Sequence, residues 1–157
     1  MREIISKFVS RIDKSVATPA DSSEEKLRKR SFTLISSLKC LCCIPWALMY
    51  TALGLTAAAL LPLAYAAIIL IGLIIFFSTK NFPIFVNVTA FFMLLIPVYL
   101  QWTLGGFAPS GAVMIWSVLA PIGILVFRGA SEAKVWFAVF AAVVLLSANS
   151  HSKCDRG

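Results

Sequence analysis

A long stretch with almost no charged side chains constrains this chain most. Between Cys40 and Phe127 the only charged residue is Lys80. The 157 residues are 60% hydrophobic and 13% charged, whereas soluble domains contain about 25% charged residues. Apolar segments in lipid must be helical here, because an open strand edge would leave backbone groups unpaired. The sequence therefore predicts an all-α integral membrane protein.

Five apolar segments follow one another and predict a polytopic bundle of transmembrane helices. They cover residues 32–54, 58–79, 83–104, 110–127 and 135–148. Because a bilayer core needs about 17–25 helical residues, the first three segments qualify, the fourth is at the short limit and the fifth is shorter. The predicted organisation is a cytosolic basic arm over 1–31, a transmembrane domain over 32–149 and a polar tail over 150–157.

The N-terminal arm has the pattern of a basic amphipathic helix. Residues 2–16 place Ile4, Phe8, Ile12 and Val16 on one helical face. Such a helix can lie in the lipid head-group plane or dock on a partner domain, and the sequence leaves both open. Farther along, Ser22 and Glu25 have the spacing of a capping box, which predicts a second helix from about residue 23.

The basic residues predict the orientation in the membrane. Nine of the fourteen Lys and Arg residues lie in positions 1–39, and the inner loops would add Lys80, Arg128 and Lys134. The intervening outer loops carry no charge, as the positive-inside rule requires for a cytosolic N-terminus. We therefore expect a multi-pass protein of the cell inner (plasma) membrane. The net charge of +7 is explained by topology and anionic lipids, so no nucleic-acid partner is expected.

Three cysteines in the first span are candidate lipidation sites. Cys40, Cys42 and Cys43 form a C-L-C-C cluster, which we place at the cytosolic end of that span, where palmitoylation occurs. The alternative, which the residue type favours, is that they act as small hydrophobic side chains in a helix. A metal site is not expected, because His151 and Cys154 would lie on the other side of the membrane.

Polar residues of the third span predict contacts between helices rather than a ligand site. Asn87, Thr89, Gln101 and Thr103 are the polar side chains there, and such groups commonly hydrogen-bond across helices in lipid. Four prolines also lie in or near the spans: Pro45, Pro62, Pro97 and Pro121. Each removes one helical hydrogen bond, so we expect kinks that shape packing.

The stretch 105–123 is apolar but rich in glycine and proline. Gly105, Gly106 and Gly111 predict a tight outer turn and a close approach of helices. Trp116 is expected to fill space against a neighbouring helix. Pro121 is expected to bend the fourth span, because its ring cannot accommodate the carbonyl four residues earlier. The sequence thus predicts a packing and turn motif in this region.

Catalytic residues in a recognisable arrangement are missing from the sequence. It holds one histidine and has no Asp or Glu between Glu25 and Glu132. No phosphate-binding loop, zinc-protease motif or Ser/His/Asp set is present. We therefore expect no catalytic residue, no cofactor and no enzymatic activity from this chain.

Several motifs resemble the N-terminal membrane domain of bacterial multi-span class III adenylate/guanylate cyclases, which also occurs on some sensor kinases. They span residues 22–147 in order: SSEEKLRKR, W-x3-Y-x2-LG from Trp46, LPLAY at 61–65, LGGF-x2-SG-x4-W-x2-LAP-x-G at 104–123, and VWFAVF at 135–140. The fourth-span motif is the specific one. The metal-binding aspartates and other catalytic residues of cyclases are not in this sequence.

The resemblance implies a membrane anchor that senses a signal and passes it to a cytosolic output domain that these residues do not include. The lipid bilayer, a second copy of the chain and a cytosolic signalling domain are the expected partners. An accessory subunit of a larger membrane complex is the alternative. A small transporter or channel is disfavoured, because the spans hold no acidic residue.

Overall fold

The structure, a computed structural model, describes residues 16, 18, 21–104, 110 and 113–154, with side chains as far as residue 147. Its elements are α1 (Ser23–Ala52), α2 (Thr56–Thr79), α3 (Phe82–Thr103), a 3-10 helix (Val113–Val118), α4 (Leu119–Arg128) and α5 (Ala130–Cys154). The predicted all-α polytopic fold is confirmed. The predicted amphipathic helix lies outside the described residues except for Val16, which is buried in the main core.

Four of these helices are long and apolar enough to cross a membrane. They are α1, α2, α3 and the Ala130–Ser147 part of α5, with mean hydropathies of 1.6, 2.7, 2.0 and 1.6. The fourth predicted segment corresponds to a shorter apolar stretch, Val113–Arg128. α5 begins before the predicted apolar segment, and its first turn includes Glu132, whose carboxylate accepts a 2.9 Å hydrogen bond from Arg128 Nε.

The start of α1 is set by local sequence. The Ser22 hydroxyl accepts a hydrogen bond from the Glu25 N–H (3.2 Å), and the Glu25 carboxylate accepts one from the Ser22 N–H (2.9 Å). This reciprocal pair is the predicted capping box, which satisfies two N–H groups that the helix cannot. From there α1 continues without interruption to Ala52, so the boundary proposed between residues 31 and 32 lies inside one helix.

An ion pair fixes the segment that precedes α1 against the first turns of that helix. Lys29 Nζ lies 2.7 Å from Asp21 Oδ2, and the Thr18 N–H donates to the same carboxylate at 2.7 Å. The hydrogen bond from Lys29, followed by that from Thr18, lowers the pKa of Asp21 below 3.8. The segment before the membrane helix is therefore tied down when Asp21 is ionised.

Short connections make successive helices antiparallel. A left-handed Lys80 (φ 55°) ends α2, and Gly129 at φ 101°, where a side chain would be strained, separates α4 from α5. Both turns lie at the same end of the bundle, because Phe82 and Phe127, next to them, both pack against the Phe32 ring. This end therefore gathers Lys80, Arg128 and the basic start of α1.

Aromatic rings fill the core at this basic end. The Phe32 ring meets three others edge-on, with centroid distances of 5.7 Å to Phe82, 5.2 Å to Phe85 and 4.9 Å to Phe127. Phe76 stacks on Phe85 at 5.2 Å. We call these five rings the aromatic cluster. It joins α1, α3 and α4 through edge-to-face contacts and α2 through the stacked Phe76–Phe85 pair.

Polar side chains link helices farther from the basic end. Gln101 Nε2 donates to Ser147 Oγ at 2.9 Å, and Ser117 Oγ donates to the Leu94 carbonyl at 3.0 Å. The predicted interhelical role is therefore confirmed for Gln101. Thr89 instead bonds within its own helix, to the Phe85 carbonyl at 2.8 Å.

The fourth apolar segment changes its helix type at its centre. The 3-10 helix passes directly into α4 at Leu119, so that Pro121 lies in the first turn of the α-helix. Pro121 has no N–H to donate to the carbonyls of the preceding 3-10 turn, so the proline coincides with the change of helix type. Pro121 therefore marks the start of an α-helix, whereas the sequence predicted a bend within one.

Candidate functional site

An apolar groove lies between α1, α2, α3, the 3-10 helix and the start of α4. Its volume is about 260 Å³, slightly below the about 300–1,000 Å³ common for small-molecule sites. Its walls are aliphatic, aromatic and sulfur-containing, and α1 also supplies a lysine. The lining residues are Lys39, Cys42, Cys43, Trp46, Pro62, Tyr65, Phe92, Met93, Ile96, Pro97, Leu100, Val113, Trp116 and Leu119.

Lys39 is half-buried and lies near the mid-height of the bundle. The next residue, Cys40, places its sulfur 3.7 Å from the Ala66 carbonyl, near the centre of α2. Lys39 shares a small cavity with Thr89 and Met93, which lie about 10 and 17 Å from the start of α3 at 1.5 Å per residue. Because a bilayer core is about 30 Å thick, Lys39 lies well inside the hydrocarbon depth.

The ammonium group of Lys39 has no carboxylate partner among the described residues. The ammonium group lies over the Phe32 ring, whose centroid is 5.9 Å from Nζ, in a cation–π contact. No Asp or Glu occurs anywhere between Glu25 and Glu132. A charged side chain inside a membrane is costly, and such groups usually pair with one another, face the bundle interior or mark a binding pathway.

A second, smaller cavity adjoins the groove at Lys39. It has a volume of about 20 Å³ and shares Lys39, Met93 and Leu119 with the groove. This volume holds about one water-sized group. The Thr89 hydroxyl on its wall already donates to the Phe85 carbonyl. Among the side chains lining this cavity, the ammonium of Lys39 is therefore the available hydrogen-bond donor.

Tyr65 crosses from α2 to α3 beside the groove. Its hydroxyl donates to the Met93 sulfur at 3.1 Å, and both side chains line the cavity. Sulfur is a weak acceptor, so this contact is easily exchanged for a better one. The groove thus combines a long apolar surface with the Tyr65 hydroxyl and the Lys39 ammonium as hydrogen-bond donors.

The three predicted lipidation cysteines lie next to the groove. Cys43 is buried, Cys40 is half-buried and Cys42 is exposed, and both Cys42 and Cys43 line the groove. The Cys40–Ala66 contact puts them near the centre of α2 in height, whereas the sequence analysis placed them at the cytosolic end of the span. Palmitoylation at these positions remains a prediction, and its geometry differs from that of a juxtamembrane site.

The predicted packing and turn motif is only partly visible. Gly105, Gly106 and Gly111 lie outside the described residues. Trp116 is 55% exposed and borders the groove, while Pro121 is fully buried. The structure thus brings Trp116 together with Lys39 around one cavity and leaves Pro121 outside its lining.

The described residues contain no group of three or more potential metal ligands. The arrangement at the groove is suited to non-covalent binding: an apolar surface with one cation. The groove-lining residues include no Asp or Glu, so they contain no pair of carboxylates that could transfer a proton.

Lys39 is the residue that sequence reasoning missed, since it was counted with the basic arm. A signal for it exists in the sequence. Phe32, Ser36, Lys39 and Cys43 follow the i, i+4, i+7, i+11 spacing of a single helical face. Three of these four residues are buried, so this face points into the bundle and takes Lys39 with it.

No protein-family model, curated protein or solved structure matches this chain. The resemblance to cyclase membrane domains therefore rests on the sequence motifs alone. The site has to be interpreted from its own geometry.

Proposed function

We propose that the chain is a membrane-embedded sensor and anchor domain of the type that its motifs resemble, acting on a cytosolic output domain of a cyclase or kinase. The observation that carries the proposal is the groove: an apolar cavity with one internal cation at membrane depth. An anchor alone needs apolar helices and no cavity, whereas a sensor needs a place for a ligand. The proposal assigns no catalytic step to this chain.

The proposed orientation puts the basic end in the cytosol of a plasma-membrane protein. The start of α1, Lys80 and Arg128 share one end of the bundle, and the positive-inside rule assigns such an end to the cytosol. The aromatic cluster lies beside this end and joins α1 to α4. A ligand that moves α1 against α3 would therefore change packing close to the cytosolic surface.

An accessory subunit of a larger membrane complex is the second candidate. The observation that favours it is the exposure of α5: only 11% of its span is buried in this chain, against 28–44% for the other three spans. A helix with so little internal contact has a broad surface for lipid or for a helix of another protein. This alternative needs no ligand in the groove.

Affinity purification separates the two candidates. The full chain, tagged at its N-terminus, is extracted from its native membranes in mild detergent, and stoichiometric partners are identified by mass spectrometry. The sensor proposal expects a cyclase or kinase catalytic protein, and it expects cyclic-nucleotide or phosphotransfer activity in the membranes to change when the gene is deleted. Stoichiometric transporter or respiratory subunits, with signalling activity unchanged on deletion, would establish the accessory subunit instead.

A further inference from the structure

We propose that the groove binds a single-chain amphiphile with a carboxylate head group, such as a long-chain fatty acid, whose head pairs with the Lys39 ammonium. The proposal deepens the sensor function by naming its ligand class. It begins from an imbalance: Lys39 is a cation inside an apolar bundle, and no carboxylate of the described residues pairs with it. A bound anion would supply the missing counter-charge.

The shape of the two cavities matches such a molecule. The small cavity, about 20 Å³, has room for roughly one water-sized group beside Lys39. The groove of about 260 Å³ continues from it and is otherwise lined by apolar, aromatic and sulfur-containing side chains. A carboxylate oxygen beside the Lys39 ammonium and a hydrocarbon chain along the apolar groove define a single orientation for the ligand.

Size and depth favour a free acid over a bilayer phospholipid. The groove is smaller than most small-molecule sites, so it accommodates one chain more readily than two. Lys39 also lies about 10–17 Å from the start of α3, at the height of Thr89 and Met93. A phospholipid head group is held at the bilayer surface, whereas a free carboxylate can follow its chain to the ammonium.

The pairing also explains why a lysine is tolerated here. The cost of burying the ammonium falls when an anion and hydrogen bonds satisfy it. The Phe32 ring, 5.9 Å from Nζ, provides a weaker electrostatic contact that holds the ammonium in the bundle without a ligand.

Two tryptophans on the groove wall provide the assay. Trp46 and Trp116 line the cavity, and bromine quenches tryptophan fluorescence on contact. The full-length chain is placed in phosphatidylcholine nanodiscs and titrated with a mid-chain brominated stearic acid. Trp102 and Trp136, which are not among the lining residues, are changed to Phe so that the reporters are the groove tryptophans.

The proposal expects saturable quenching that unbrominated stearic acid reverses. Lys39→Met, which keeps the side-chain length and removes the charge, should weaken the apparent affinity at least ten-fold. Lys39→Arg should retain it, and the exposed-lysine control Lys134→Met should bind as the wild type does. The brominated alcohol of equal length should bind the unaltered groove at least ten-fold more weakly than the acid, an arm that needs no substitution at Lys39.

Three results would overturn the proposal: no saturable quenching by the acid in the folded protein, equal affinity of acid and alcohol, or equal affinity of folded Lys39→Met and wild type. Saturable quenching by a brominated phosphatidylcholine at similar affinity would also overturn it in favour of bulk lipid. The measurement requires no output domain. Its failure is therefore distinct from failure of the sensor proposal, which is decided by the partners that co-purify.

Discussion

Replacing Phe32 by leucine should loosen the basic end of the bundle. Phe32 is 4% exposed and meets three rings edge-on at 4.9–5.7 Å. Leucine preserves an apolar side chain of helical propensity but removes all three edge-to-face contacts. The helices themselves should remain, because their backbone hydrogen bonds are independent of this ring.

The expected loss can be derived from those contacts. Edge-to-face pairs contribute about 0.5–1.5 kcal/mol each beyond area burial. Lipid is as apolar as leucine, so little further hydrophobic free energy is lost. Three pairs at the low end, with the small cavity that leucine leaves, give a loss on the order of 2 kcal/mol in the free energy of unfolding.

Phe91→Leu is the matched control for Phe32→Leu. Phe91 is 49% exposed and has one edge-on neighbour, Phe92, at 5.4 Å, so its loss should stay below about 1 kcal/mol. Reversible unfolding in mixed micelles with increasing dodecyl sulfate, followed by near-ultraviolet circular dichroism, measures both variants. If Phe32→Leu and Phe91→Leu cost the same, the aromatic cluster does not join these helices as described.

Three further predictions concern packing, hydrogen bonding and pH. Gly72→Ala should lower the melting temperature in detergent, because its Cβ would lie 3.1 Å from a phenylalanine ring, whereas Gly123→Ala, with no neighbour within 4 Å, should not. A double-mutant cycle of Gln101→Met with Ser147→Ala should give a coupling free energy of about 0.6 kcal/mol, with about 1.7 as the upper limit; a value of zero would exclude their 2.9 Å hydrogen bond. Asp21→Asn should destabilise the protein at neutral pH in denaturant titrations. That difference should vanish as the pH falls below 3.8 and through the lowered pKa of Asp21, since a depressed carboxyl pKa stabilises only while the group is ionised.

Local signals explain why much of the fold could be predicted. The Ser22–Glu25 capping box acts within one turn, so the start of α1 follows from the residues that form it. The apolar segments 58–79 and 83–104 differ from α2 and α3 by at most two residues at each end. In both cases the information lies in consecutive residues and requires no knowledge of the neighbouring helices.

Tertiary contacts explain what the sequence did not yield. The 3-10 helix before Leu119 depends on how the segment packs on α3, including the bond from Ser117 to the Leu94 carbonyl. The depth of Lys39 depends on the pairing of Cys40 with Ala66 across two helices. Counting charges along the chain grouped Lys39 with the basic arm, because such a count does not show how deep in the membrane a residue lies. The groove itself is lined by residues of five elements that are not contiguous in the sequence.

The most direct test of the account is a topology map of the chain in a bacterial plasma membrane. Paired reporters, one active only in the cytosol and one only outside, are fused after Thr79, after Leu104 and after Ser131. Cytosolic signals are expected at Thr79 and Ser131 and an external signal at Leu104, because the basic turns share one end of the bundle. A cytosolic signal at Leu104, or external signals at Thr79 and Ser131, would contradict this topology.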